Sequence, residues 1–174
     1  MKLRAPRAAK YLSVAGMYLE SNVTIIGTES AQNLNLLSLA PNEEGTLSGE
    51  MALFDVGTEH DGAFHQGVFQ PPRQPSADAG SEEGVISPFT HATRALPRPS
   101  DFVDISVEQT NGFFDITIDN VSRQQDTAMS PIAPVFYAVH GEDYSLFEPG
   151  TSASDGLESL AEDGSPVELV QSEP

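Results

Sequence analysis

The chain has 174 residues and a formal net charge of -18, because 26 acidic residues stand against 8 basic ones. Such an acidic excess argues against a nucleic-acid partner and against an anionic membrane surface, since binding to either needs lysine and arginine. Cysteine is absent, which excludes disulfides, thiolate zinc sites and a cysteine nucleophile. Two interpretations of the acidity stay open: solubility in salty surroundings, or cation binding by a subset of the carboxylates.

The length suits one domain, and 14 glycines and 13 prolines divide the chain into short segments. This composition favours an all-β sandwich or barrel over a helical bundle. After a basic lead-in at residues 1–10, the pattern predicts strands over Tyr11–Leu19, Thr24–Gly27 and Leu47–Phe54, with a further apolar run at Leu34–Leu39. The first residues resemble a secretory signal, but no convincing cleavage site follows, so a strand is predicted there. No stretch is long enough to span a membrane.

The strongest local signal is a β-hairpin over Asp101–Ser122. Alternating apolar residues lead into Asn111-Gly112 and continue after it. An Asn-Gly pair between such runs predicts a type I′ turn, because both central residues of that turn need a positive φ. A long irregular segment rich in glycine, proline, serine and glutamine precedes the hairpin at residues 62–100.

One short helix is predicted near the end of the chain, after a strand candidate at Ile132–His140. Ser154 suits the N-cap, and Leu157, Leu160 and Ala161 follow at helical spacing. Glycine and proline then stop the helix. Residues 167–174 are predicted to be an exposed tail.

The segments on the two sides of the hairpin turn resemble the two halves of the spondin amino-terminal domain, in its bacterial branch. Residues 113–166 resemble the first half, through DITIDNVS (115–122), SPIAPVFYAVH (130–140) and SLFEPGTSASDGLESLAEDGSP (145–166). Residues 11–109 resemble the second half, through LSVAGMYLESN (12–22), FDVGTE (54–59) and LPRPSDFVDISVE (96–108). The resemblance implies an antiparallel β-sandwich, secretion and a calcium site.

The two halves stand in reversed order, which suggests a circular permutation with the hairpin fusing the old termini. Permutation is tolerated where domain termini lie close together. The hypothesis is a single sandwich domain at residues 11–166. Two alternatives stay open: parts of two neighbouring domains of a longer protein, or a subunit whose missing strand comes from a neighbour.

Asp55 and Glu59 are the main site candidates, because the resemblance implies calcium ligands at these two positions. Independently, two carboxylates separated by Val-Gly-Thr can converge if Gly57 allows a tight turn, and hard cations take several oxygen ligands. Asp61 is close enough in sequence to add a ligand or an outer contact. A further acidic ligand of the family falls near Asn22, which supplies only a neutral oxygen. The alternative is an acidic turn without an ion.

No catalytic constellation is indicated. There is no nucleophile elbow and no phosphate-binding glycine loop beside a lysine. His60 is interpreted as a solvated loop residue, and His140 as a structural hydrogen-bonding residue. We therefore predict that the protein is not an enzyme, with a carboxylate-dependent hydrolase as the least favoured alternative.

The predicted function is a non-catalytic adhesion or binding module, extracellular or at the cell surface, stabilised by calcium. Its partner would be a protein or glycan, without nucleic-acid binding or membrane insertion. The alternative function is a structural subunit that self-assembles into oligomers or filaments by strand complementation.

Overall fold

The fold is known from a computed structural model of the chain. The structure describes residues 2–6, 8–19, 21–28, 34–38, 44–46, 50–60, 83–89, 98–111, 113–121 and 132–172. Its strands are β1 (Lys2–Pro6), β2 (Tyr11–Met17), β3 (Thr24–Thr28), β4 (Leu34–Asn35), β5 (Glu44–Thr46), β6 (Met51–Asp55), β7 (Ser87–Pro88), β8 (Val103–Thr110), β9 (Phe113–Asn120) and β10 (Phe136–His140). The helices are α1 (Asp155–Asp163) and α2 (Val167–Ser172), and single 3-10 turns lie at Leu36–Ser38 and Pro99–Asp101.

The described strands form two antiparallel sheets. One sheet has the order β1-β9-β8-β5, and the other has the order β10-β2-β3-β6-β7, with β4 also paired to β2. Residues from both sheets share one hydrophobic cluster, so the sheets pack face to face. The predicted all-β sandwich is therefore confirmed.

The hairpin of β8 and β9 forms as the sequence predicts. Thr110 pairs with Phe113 at the turn, and Asn111 has a φ of 47°, which is the left-handed conformation that a tight hairpin turn requires. Ile105, Val107 and Ile116 are buried, while the residues between them face outward. The alternation in the sequence therefore corresponds to one buried and one solvated face.

The six-stranded sheet separates two hydrophobic cores. The first core lies between the sheets, where the rings of Tyr18 and Phe102 are 5.6 Å apart. The second core lies on the opposite face of this sheet, beneath α1 and the segment before it, where Phe54 and Phe147 meet edge to face at 4.9 Å. The described part of the molecule thus has three layers: the four-stranded sheet, the six-stranded sheet, and a helical cover made of α1 and the segment before it.

The predicted helix is α1. The hydroxyl of Ser154 accepts the N–H of Leu157, and Gly164 ends the helix in the left-handed conformation with a φ of 67°. Leu157 and Leu160 are buried in the second core.

Both predicted terminal extensions contain regular structure. In place of an exposed tail, α2 packs on α1, and Leu169 is buried against Gly156. At the other end, residues predicted as a lead-in form β1, where Ala5 is buried and Arg4 forms an ion pair with Asp115 at 3.1 Å. The expectation of one helix is thereby corrected to two α-helices within the described residues, because the fold gives apolar residues of the predicted tail a surface to cover.

The other boundaries shift modestly. The apolar run at Leu34–Leu39 divides into the two-residue strand β4 and a 3-10 turn. Residues 47–49 of the predicted strand, and residues 62–82 and 90–97 of the irregular segment, lie outside the described part. Within that part, no helix has the length and apolar character needed to cross a membrane.

Candidate functional site

The Asp55–Glu59 loop begins where β6 ends. The Oδ1 atom of Asp55 accepts the N–H of Gly57 at 2.8 Å, a local turn that reverses the chain. Gly57 has a φ of 74°, and a Cβ there would lie 2.8 Å from the carbonyl oxygen of Val85. Glycine is thus required by both conformation and space, as expected for the tight turn predicted from the sequence.

The turn between β2 and β3 lies beside this loop. The Ser21 hydroxyl accepts the N–H groups of Val23 at 3.1 Å and Thr24 at 2.6 Å, which fixes the turn from within. The N–H of Val56 donates to the carbonyl of Val23 at 3.1 Å. Asp55 is also paired with Thr24 in the sheet. These contacts place the two segments, which are distant in sequence, side by side.

Asn22 and Glu59 meet where the β2–β3 turn and the Asp55–Glu59 loop lie side by side, a region called the junction from here on. The Nδ2 atom of Asn22 donates to Oε2 of Glu59 at 3.0 Å and to the carbonyl oxygen of His60 at 2.9 Å. Asn22 is 3% exposed and Glu59 is 2% exposed. Both residues are predicted from the sequence to belong to one site, and the structure brings them into contact. Asp61, the remaining predicted site residue, lies outside the described residues.

The junction contains oxygen ligands of the kind that calcium takes: two carboxylates and a backbone carbonyl. Asn22, however, presents N–H groups to the very oxygens that a cation would attract. A calcium ion would fit here only if the amide turned over, so that its oxygen replaced its nitrogen. Among the described residues, no group of three or more histidine, cysteine, aspartate or glutamate side chains is placed to hold a metal ion.

A polar cleft of about 710 Å³ opens next to the Asp55–Glu59 loop. Its described lining residues come from three segments: Thr58, Glu83, Gly84, Val85, Ser152, Ala153 and Glu158. Backbone hydrogen bonds join these segments. The N–H of Gly84 donates to the carbonyl of Gly57 at 2.8 Å, and the N–H of Ile86 donates to the carbonyl of Thr151 at 2.9 Å. The cleft is not predictable from the sequence, since no local pattern connects segments so far apart.

His140 lies on the side of the six-stranded sheet that bears α1. Its Nδ1 atom is 2.7 Å from the carbonyl oxygen of Gly141, and its Nε2 atom is 2.8 Å from the hydroxyl of Ser13. Because a carbonyl only accepts, Nδ1 carries the hydrogen, and in the neutral ring Nε2 accepts from Ser13. The ring of Tyr11 is stacked with this histidine at a centroid distance of 6.0 Å, and the ring of Tyr144 lies 4.5 Å from it in a tilted arrangement. These are the structural hydrogen bonds predicted for His140, while His60 is exposed.

Comparisons of the chain with family models, with curated proteins and with solved structures found no match. The resemblance to the spondin domain, and the permuted order that it suggests, stay predictions carried by the motifs of this sequence.

Proposed function

We propose that the protein is a non-catalytic binding module, working outside the cell or at its surface, and that the polar cleft beside the Asp55–Glu59 loop receives its ligand. The cleft is the observation that carries this proposal. Its walls are joined by backbone hydrogen bonds, so the cleft is a concave surface built from three connected segments. The surface location rests on the resemblance to spondin domains alone.

The chemistry of the cleft favours a basic segment of a partner protein. Glu83 and Glu158 contribute carboxylates, and Ser152 contributes a hydroxyl group. The described lining includes no lysine or arginine, and the chain as a whole carries a net charge of -18. A concave acidic surface on an acidic protein attracts cationic side chains at long range and orients them on contact.

The Ser13–His140 pair supports a non-catalytic function. The pair has the hydrogen bond that a serine nucleophile and its base would need. Ser13 is nevertheless fully buried, with 0% exposure, so its hydroxyl cannot reach a substrate from solution. The bond is better explained as a tie between β2 and β10.

The test is calorimetric titration with a capped tetralysine peptide, on the wild type and on single variants that each remove one negative charge. Glu83→Gln and Glu158→Gln should each weaken binding several-fold. Glu108→Gln, on the outer face of the four-stranded sheet, should change it little. Equal weakening by all three variants would mean non-specific attraction, and either that result or the absence of binding would overturn the cleft as the ligand site.

Strand complementation is a second candidate, favoured by one edge of the six-stranded sheet. In the described part of the chain, β10 ends this sheet with no strand beyond it, and Tyr137 on β10 is half exposed. If copies associate here, light scattering should detect oligomers that grow with concentration, and Tyr137→Lys should reduce them. A monomer at every concentration would remove this candidate.

A further inference from the structure

We propose that the side-chain amide of Asn22 takes the place of a cation at the Asp55–Glu59 loop, so that this junction is stable without calcium. The proposal concerns the junction rather than the neighbouring cleft. Stability at Asn22 and peptide binding at the cleft are measured separately, so either can fail while the other holds.

The first reason is the burial of Glu59. An ionised carboxylate removed from water is costly unless a cation or hydrogen-bond donors compensate it. Glu59 is 2% exposed, and the N–H donor of Asn22 lies 3.0 Å from its Oε2 atom. The junction therefore has a neutral donor for one of the two carboxylate oxygens of Glu59, at a place where an ion could otherwise supply the compensation.

The second reason is that the amide connects the same kinds of oxygen that a calcium ion connects. The two hydrogens of one nitrogen tie a carboxylate of the loop to the backbone carbonyl of His60. An ion held between these oxygens would perform the same task by coordination. In the observed arrangement the amide nitrogen already does so.

The third reason is that Asn22 is held in place by its own turn. The Ser21 hydroxyl bonds and the Val56–Val23 hydrogen bond fix the backbone on both sides of Asn22. With the backbone fixed, the identity of the side chain decides the chemistry. An aspartate at this position could not donate and would add a negative charge beside Glu59, so a cation would become necessary.

The experiment compares thermal unfolding of the full chain in chelator and in excess calcium. The wild type should unfold at the same temperature in both. Asn22→Asp should unfold roughly 5–10 °C lower in chelator, by analogy with breaking a buried pair, and calcium should restore most of that loss. Calorimetric titration with calcium alone should detect binding to this variant and none to the wild type. Asn35→Asp is the matched control, because it adds the same charge at an exposed turn where the side-chain oxygen accepts from Leu37.

Two outcomes would overturn the proposal. One is a wild type that binds calcium and gains stability from it. The other is an Asn22→Asp variant whose loss is the same in chelator and in calcium.

If Asn22→Asp does not fold in chelator, the double variant Asn22→Asp with Glu59→Gln keeps the question answerable. It reverses the direction of the hydrogen bond between the two side chains, since the amide introduced by Glu59→Gln would donate to the carboxylate introduced by Asn22→Asp, while the carbonyl of His60 loses its donor. We expect it to fold in chelator and to respond little to calcium. A double variant that still needs calcium would count against a role for the amide as donor.

Discussion

The two sheets of the sandwich differ in how many faces they bury, and this difference explains much of the molecule. The strands of the hairpin alternate strictly between buried and outward-facing residues, because the outer face of the four-stranded sheet meets solvent. In β3, by contrast, all five residues are buried, because the other sheet covers one face and α1 with its preceding segment covers the other. Burial of consecutive residues therefore marks the sheet between two layers, and alternating burial marks the outer sheet.

The largest expected effect is a difference in the free energy of unfolding between two variants. Each variant changes a side chain that points away from the first core, one on each sheet. Ile25→Ala, beneath the helical cover, should lower the free energy of unfolding by about 2–5 kcal/mol, because it leaves a cavity in the second core. Thr117→Ala, on the solvated face of β9, should change it by no more than about 0.5 kcal/mol. Urea unfolding of both variants measures the contrast, and equal losses would mean that the helical cover contributes no core.

A smaller effect tests whether α2 belongs to that cover. In Gly156→Ala the new Cβ would lie 2.9 Å from the backbone nitrogen of Leu169, so α2 must shift. The free energy of unfolding should fall by about 1–3 kcal/mol, and amide exchange in α2 should become faster. Gly141→Ala is the matched control, because a Cβ there meets nothing within 4 Å. If α2 keeps its protection in Gly156→Ala, the packing described for this helix is wrong.

The smallest effect concerns the charges on the solvated face. Asp104 and Asp119 are directly paired across β8 and β9, which places like charges opposite each other. Because such pairs repel, Asp119→Asn should stabilise the protein by about 0.5 kcal/mol at low salt. The gain should shrink as sodium chloride is added, since salt screens exposed charges. A gain that is independent of salt would point to a cause other than charge repulsion.

The features predicted correctly from the sequence are those whose signal is local. The hairpin needs only Asn111 and its alternating neighbours, and α1 needs only Ser154 and an apolar stripe. The second helix was missed because its reason is tertiary: Leu169 becomes buried only when Gly156 provides a surface. Strand β1 was missed in the same way, since its partner β9 lies far along the chain.

The candidate site shows the same limit at the level of atoms. Asn22 and Glu59 could be assigned to one site in advance, through the resemblance to a known domain. The sequence could not say which end of the Asn22 amide faces the carboxylate, because an amide offers either an acceptor or donors depending on its surroundings. The polar cleft could not be predicted at all, because Glu83 and Glu158 come to line one cleft only in the folded chain.

The close approach of Gly57 and Gly84 has a consequence for engineering. A Cβ on Gly84 would lie 2.6 Å from the carbonyl oxygen of Gly57, so these two positions accept no side chain. Their hydrogen bond closes the base of the chain segment between them. In an engineered variant, a substitution at either glycine would therefore push the Asp55–Glu59 loop away from the segment before β7.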